Sequence, residues 1–170
     1  MVTQVTPATL NQTIITFYIQ DIATSGQQIF LLDTLYVWSF AINAVQGTAQ
    51  NIMGYGLEIP SYSIAVYQNG LTTSVVLAQL YQIKEIVVLS DIGTVISNQT
   101  YSNNFNLIQS KGIVLTSNFL AVTLPNYVLV YQRGQYKYQN IFGIYGSAQS
   151  STNFAFFVME NDFVVKVGSR

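Results

Sequence analysis

The strongest constraint on the fold is a recurring pattern of short runs rich in Val, Ile, Tyr, Phe and Thr, separated by Gly or by small polar clusters. β-Branched and aromatic residues favour the extended conformation, and turn residues at such short intervals are typical of an all-β domain. The pattern therefore predicts antiparallel strands, at 13–20, 28–32, 35–43, 52–58, 61–68, 71–79, 85–89, 105–109, 113–116, 119–124, 127–132, 136–145, 154–159 and 163–167.

Two connections between these runs carry the clearest sequence signals for a hairpin turn. Asn69-Gly70 lies between two strand-like runs, and because both residues tolerate positive φ the pair predicts a tight hairpin. A second hairpin is predicted where 105–109 and 113–116 flank the short segment Ser110-Lys111-Gly112.

One stretch, 73–88, has a helical alternative. Its apolar residues fall close to one stripe of a helix, at Val76, Leu77, Leu80, Ile83 and Val87. The high Val and Ile content of the same stretch favours strand. We therefore expect at most one short helix in the chain.

The length of 170 residues suits one domain with a substantial core, and we expect a single domain over 1–170 with a short N-terminal extension. Many short strands without a dominant helix predict an antiparallel β-sandwich, with a jelly roll as the favoured connectivity. The runs 86–89 and 127–131 would promote aggregation on an exposed edge, and no pattern of Lys or Pro guards them. This favours edges that are covered by neighbouring molecules.

Only 8% of the residues are charged, and the chain contains neither His nor Cys. These absences exclude Ser-His-Asp and Cys-His catalysis, as well as zinc sites built on imidazole or thiolate. No phosphate-binding loop is present, and Gly54-Tyr55-Gly56 lacks the third glycine of a dinucleotide fingerprint. We predict that the protein is not an enzyme, with no catalytic, cofactor-binding or metal-binding residues.

Acidic residues allow one further kind of site. Glu160-Asn161-Asp162 is the tightest acidic cluster and could offer two carboxylates and an amide to calcium. The favoured interpretation is a polar hairpin turn between the strands at 154–159 and 163–167. The pair Lys84-Glu85 is interpreted as solvated residues at a strand edge.

The basic residues all lie from Lys84 onward, so 1–83 contains no Lys or Arg. Residues 132–138 interleave two basic residues with tyrosines, as single-strand binders do. Phosphate affinity grows with the number of basic contacts, and two or three cations are few. A Tyr-rich strand or interface is the favoured reading of this segment, and no nucleic acid is expected to bind through a basic N-terminal arm.

Two N-x-[ST] sequons, at Asn11 and Asn98, are candidate glycosylation sites. The N-terminal residues show no positively charged segment followed by an apolar one, so no secretory signal is expected. The stretch 29–45 is the most membrane-like, but its polar residues favour buried strands over a spanning helix.

With so little charge, the polar surface must consist mainly of Asn, Gln, Ser, Thr and Tyr. Such a surface forms hydrogen bonds but repels copies of itself weakly, which favours association and resistance to acid. Trp38 and Phe40 are expected in the core. Tyrosines suit contacts that bury area and keep hydrogen bonds, and we expect some of the following at interfaces: Tyr55, Tyr62, Tyr101, Tyr136 and Tyr138.

The charge-poor composition, the Tyr-, Asn-, Gln- and Thr-rich strands, and the lack of Cys and His resemble the single jelly-roll capsid proteins of icosahedral viruses that infect thermoacidophilic archaea. The resemblance extends over the whole chain but matches no diagnostic motif. It implies a viral capsid subunit that self-assembles into an icosahedral shell and is located in the virion. Its partners would be copies of itself in a homo-oligomeric capsomer and other virion proteins, with an internal membrane or a separate nucleoprotein beneath the shell.

Two other classes have a similar composition. A cell-surface filament or layer subunit would join its neighbours by strand addition. A carbohydrate-binding sandwich would need exposed aromatic rings beside a few fixed polar groups.

Overall fold

The fold consists of antiparallel β-strands in a computed structural model, which describes residues 18–43, 48–125, 127–143, 153–159 and 162–168. Side chains are described within 18–42, 50–125 and 127–137. The strands are β1 (Ile19–Ser25), β2 (Gln28–Asp33), β3 (Tyr36–Asn43), β4 (Thr48–Gly56), β5 (Ser61–Asn69), β6 (Thr72–Gln79), β7 (Gln82–Leu89), β8 (Val95–Ser102), β9 (Gly112–Leu115), β10 (Phe119–Thr123), β11 (Tyr127–Gln132), β12 (Lys137–Gly143), β13 (Asn153–Met159) and β14 (Asp162–Gly168).

The strands form three four-stranded sheets and one hairpin. Sheet A contains β1–β4, sheet B contains β5–β8 and sheet C contains β9–β12, each in sequence order, while β13 pairs with β14. The predicted all-β antiparallel class is confirmed. The jelly-roll connectivity is not observed in these sheets, because every strand pairs with its sequence neighbour through a short connection, whereas a jelly roll needs Greek-key crossings.

Sheet B lies between sheets A and C, so both of its faces are covered. One apolar core joins sheets A and B through residues such as Phe30, Val75 and Ile86. The other joins sheets B and C through residues such as Val76, Leu120 and Leu129. The sheets therefore pack face to face, as layers of a sandwich do.

The first strands of the three sheets lie beside one another, with β1 against β5 and β5 against β9. Four-stranded meanders stacked in this way resemble the blades of a propeller. Asp21 joins two of these strands: its carboxylate accepts the Ile64 N–H at 2.9 Å and the Ile22 N–H at 2.8 Å. A backbone donor on β5 is thus satisfied by a side chain from sheet A.

The helical alternative for 73–88 is wrong, because these residues form most of the β6–β7 hairpin. Val75 and Leu77 pack towards sheet A, whereas Val76 and Ala78 pack towards sheet C. A strand that is covered on both faces has apolar residues at consecutive positions, and this produced the apparent helical stripe. The described residues contain no helix, and hence none long and apolar enough to cross a membrane.

The Asn69-Gly70 hairpin is confirmed, and its two-residue loop consists of Gly70 and Leu71. Gly70 has a φ of 59°, which a glycine at the first loop position adopts without a steric penalty. The second predicted hairpin is wrong. Residues 105–109 lie in a loop in which the Asn103 and Asn106 side chains accept the N–H groups of Phe105 and Ile108, and β9 pairs with β10 instead.

The expectations for Trp38 and Phe40 are met to different extents. Phe40 is buried, whereas Trp38 is only partly buried and stacks on Tyr36 with 5.8 Å between ring centroids. The Trp38 ring also covers Gly54, where a Cβ atom would lie 2.6 Å from the ring. An alanine at this position of β4 would therefore force the indole to move.

Candidate functional site

Several of the few charged side chains lie between sheets rather than on the surface. Arg133, in the β11–β12 turn, is 3.6 Å from the Glu85 carboxylate on β7. Its guanidinium donates hydrogen bonds to Ser74 Oγ at 2.7 Å and to the Thr116 carbonyl at 3.2 Å. It also lies 4.6 Å from the centroid of the Tyr67 ring. Arg133 therefore holds sheets B and C together within the chain, and the interface role expected for 132–138 stays a prediction.

Tyr136 completes this interface in a strained conformation. It is only 4% exposed, and its φ of 46° is unusual for an aromatic residue. Its ring packs on Tyr101 with 4.8 Å between centroids, and its hydroxyl is buried near the Glu85 carboxylate and the Arg133 guanidinium. Burial, and then the nearby Glu85 carboxylate, raise the pKa of Tyr136, and the same two causes raise the pKa of Tyr101.

The interpretation of Lys84-Glu85 as a solvated pair is wrong. Neighbouring residues of a strand point to opposite faces, and both faces of sheet B are covered. Lys84 is 8% exposed, with its ammonium 5.9 Å from the centroid of the Tyr55 ring, whereas Glu85 faces Arg133.

The surface is consequently poorer in charge than the composition suggests. Among the side chains that the structure describes, the exposed charged ones are Glu58, Asp91, Lys111 and Lys137. Large apolar side chains that are exposed outnumber them: Tyr18, Ile22, Leu35, Tyr36, Ile59, Leu71, Tyr81, Ile92, Ile96 and Ile108.

Half of these apolar side chains lie at one end of sheets A and B, four of them on connections between strands and one at the start of β3. Backbone hydrogen bonds join these connections, from Leu57 N–H to the Leu35 carbonyl at 2.7 Å and from Leu107 N–H to the Leu80 carbonyl at 2.9 Å. The Gln79 amide also donates to the Ile59 carbonyl at 2.9 Å. We call this group the apolar end, and it consists of Leu35, Tyr36, Ile59, Tyr81 and Ile108.

The outer edge of sheet B is a second open surface. The strand at this edge, β8, has the sequence Val-Ile-Ser-Asn-Gln-Thr-Tyr-Ser, which contains no charge, Pro or Gly. Asn98, Gln99 and Thr100 are consecutive and all exposed. The sequence patterns did not predict this strand, because polar residues occupy most of its positions.

The remaining candidate residues are placed as follows. Asn98 is exposed on β8 and its amide donates to the Tyr55 hydroxyl, whereas Asn11 lies outside the described residues. Glu160 and Asn161 also lie outside them, and Asp162 begins β14, which pairs with β13 as the hairpin interpretation expected. Among the described residues, no three His, Cys, Asp or Glu side chains are grouped so that they could hold a metal ion.

A cleft of about 590 Å³ is the feature that a carbohydrate-binding protein would use, and it is lined by Ser102, Asn103, Asn104, Phe105, Tyr131, Gln135, Tyr136 and Lys137. Asn103 Oδ1 is a fixed polar group, since it accepts both the Tyr131 hydroxyl and the Phe105 N–H at 3.0 Å. Tyr131 and Tyr136 are almost fully buried, which leaves little ring face for a sugar to stack on.

Comparisons with known proteins support the fold alone. No protein-family model and no curated protein matches the sequence. Among solved structures, U3-55K is 10% identical with a TM-score of 0.57, covering 92% of this chain and 54% of that one. Hsv2 from Kluyveromyces lactis is 13% identical with a TM-score of 0.54, over 85% of this chain and 43% of that one. The computationally designed Ika4 protein is 12% identical with a TM-score of 0.54, covering 99% of this chain and 98% of that one.

The chain thus spans about half the length of U3-55K and of Hsv2, and nearly all of Ika4. At such low identities the likeness concerns the arrangement of strands.

Proposed function

We propose that the protein is a structural subunit whose function is ordered association with copies of itself. The observation that carries this proposal is the surface balance: exposed large apolar side chains outnumber exposed charged ones among the described residues. Scattered apolar residues are common on protein surfaces, but grouped ones with few charges between them are typical of interaction sites.

The location of the charges strengthens this argument. Glu85 and Arg133 form an ion pair between sheets, and Lys84 lies beneath sheet A, so these side chains contribute little to repulsion between molecules. The apolar end adds burial energy, at about 25 cal/mol for each Å² removed from water. Association therefore gains apolar contact and loses little from charge repulsion.

A viral shell is the setting that we propose for this association, and the charge-poor, Cys- and His-free composition supports it. The sheets do not have the jelly-roll connectivity that the capsid resemblance implied, so this setting rests on composition and surface. The alternative is a cell-surface filament or layer subunit, which the unguarded edge of β8 favours because strand addition needs such an edge.

Light scattering coupled to size-exclusion chromatography, followed by electron microscopy of the same fractions, tests the proposal. We expect discrete particles much larger than the 18.9 kDa chain. Closed shells or rings would support the capsid setting, and filaments or sheets would support the alternative. A monomer that persists as the protein is concentrated would overturn the proposed function.

A further inference from the structure

We propose that the outer edge of β8 pairs antiparallel with β8 of a second copy of this chain. The inference rests on the proposed function and names one contact through which association occurs. It begins from the position of β8 at the end of sheet B, where no described strand pairs with its outer side.

The backbone of β8 offers hydrogen-bonding groups on that outer side. At one end of the β7–β8 ladder Leu89 N–H donates to the Thr94 carbonyl, and at the other end Asn103 N–H donates to the Tyr81 carbonyl. Along a strand of an antiparallel pair, the N–H and C=O groups of one residue face the paired strand, and those of the next residue face away from it. Counting from Asn103, the N–H of Gln99 faces β7, whereas those of Asn98 and Thr100 face outward.

The exposure of the side chains shows that this edge is open. Alternate residues of a strand lie on opposite faces, yet Asn98, Gln99 and Thr100 are all exposed, so both faces are accessible at the middle of β8. Unpaired N–H and C=O groups on an accessible edge are a template for another strand.

Two other sheet edges, β5 and β4, are occupied or obstructed. The carboxylate of Asp21 satisfies the Ile64 N–H at the inner edge of sheet B. On β4, the carbonyl oxygen of Ile52 lies only 2.7 Å from where a Cβ atom on Gly93 would be, so the β7–β8 turn lies against that strand. Natural edges are usually protected by charges, Pro or covering loops, and β8 has neither charge nor Pro.

The partner is a second copy because β8 suits pairing with itself. A two-fold axis perpendicular to the sheet places residues of the two copies opposite each other on the same face. If the axis passes through Gln99, then Asn98 of one copy lies opposite Thr100 of the other. Ser97 then lies opposite Tyr101. Any charge on such a strand would approach its own copy across the axis, and β8 carries none. The pairing would join two four-stranded sheets into one continuous sheet.

A two-fold contact of this kind closes on itself, so it produces a dimer. Larger particles need a second surface, for which the apolar end is available. Loss of the β8 contact should therefore reduce a large assembly to smaller species, whereas the folded chain stays intact.

Cysteine cross-linking tests the contact directly, because the natural chain has no Cys and any disulfide must join the introduced residues of two copies. We expect Gln99→Cys to form dimers rapidly under mild oxidation, since Gln99 faces its own copy at the axis and such a pair meets the Cα distance of about 4.4–6.8 Å that a disulfide needs. Thr24→Cys, on the exposed side of β1, is the matched control and should form at least tenfold fewer dimers. Equal cross-linking of the control would overturn the inference.

A charge substitution provides a second measurement. Gln99→Lys would place two ammonium groups directly opposite each other at the axis, and we expect the assembled fraction to fall at least tenfold, whereas Thr24→Lys should assemble like the natural chain. Within its own chain the new ammonium would lie opposite the Glu85 carboxylate. If the natural chain assembles and Gln99→Lys assembles equally well, the β8 contact is wrong and the proposed function stands. If the natural chain is monomeric, the proposed function itself fails.

Discussion

The interior of the sheet stack and the outer edge of sheet B differ in where the charges lie. In the interior, Asp21 bridges sheets A and B, and Arg133 with Glu85 bridges sheets B and C. Along the outer edge, β8 contains no charged residue. The difference shows that a charge-poor chain can use its few charges to join its own sheets, which leaves an edge that copies of the chain can approach.

Among substitutions that remove an interaction, the largest effect should come from breaking the interior charge pair. Arg133→Met removes the cation and leaves the Glu85 carboxylate, 12% exposed, between the sheets. Isolating a buried charge costs about 3–5 kcal/mol, and the residual exposure points to the lower end of that range. We expect a loss of about 3 kcal/mol in urea denaturation. The double variant Arg133→Met with Glu85→Gln should recover part of it, and a single variant as stable as the natural chain would contradict the bridging role.

A smaller effect is expected at the inner edge of sheet B. Asp21→Ala removes the acceptor of the Ile64 N–H, and Ile64 is only 3% exposed. An unsatisfied buried donor costs about 1–3 kcal/mol. Thermal and urea denaturation should show a loss of about 2 kcal/mol, whereas Thr24→Ala, an exposed site on the same strand, should change stability little. Equal losses in the two variants would show that Asp21 does not guard this edge.

The strands that sequence patterns predicted best are those covered on both faces. β11 was predicted with its observed bounds, Tyr127–Gln132, because continuous apolar residues mark a central strand. Its inner position also keeps β11 from pairing with other molecules. The two runs that would promote aggregation at an edge both lie on inner strands, 127–131 on β11 and 86–89 on β7. The concern about exposed apolar edges was therefore misplaced, and the open edge is a polar one.

The features missed by sequence patterns depend on tertiary contacts or on turn chemistry. β8 pairs with β7 through its backbone, so its Asn, Gln, Thr and Ser side chains leave no apolar alternation to detect. The loop at 105–109 contains Phe105 and the fully buried Leu107, which imitate a strand. The pairing of Arg133 with Glu85 joins two sheets, and no local spacing encodes it.

The interior tyrosines predict an alkaline loss of stability. Burial and Glu85 raise the folded-state pKa of Tyr136 above its ordinary value of 10.0, so the folded chain holds the phenolic proton more tightly than the unfolded chain does. This contribution is fully present below pH 10 and is lost as the pH rises towards the folded-state pKa. Each such proton gives a slope of up to about 1.4 kcal/mol per pH unit.

Urea denaturation over a pH series checks this prediction. Above pH 10, Tyr136→Phe should lose stability less steeply than the natural chain, because it lacks this titrating group. Tyr18→Phe alters a tyrosine that is 77% exposed and should keep the natural slope. Parallel curves for Tyr136→Phe and the natural chain would contradict the assignment.

The smallest effect on folding should come from a charge placed at the outer edge. Gln99 is exposed on β8 and pairs with Glu85 of β7, so the ammonium of Gln99→Lys stays in water opposite a carboxylate and should change the free energy of unfolding by less than about 0.5 kcal/mol. Ser74→Lys is the contrasting variant, because Ser74 is 7% exposed and its hydroxyl accepts a hydrogen bond from Arg133. A second cation there would be desolvated beside the guanidinium, and a loss above about 3 kcal/mol is expected. A destabilised Gln99→Lys would mean that the outer edge is packed within the single chain, and this would remove the basis for pairing between copies.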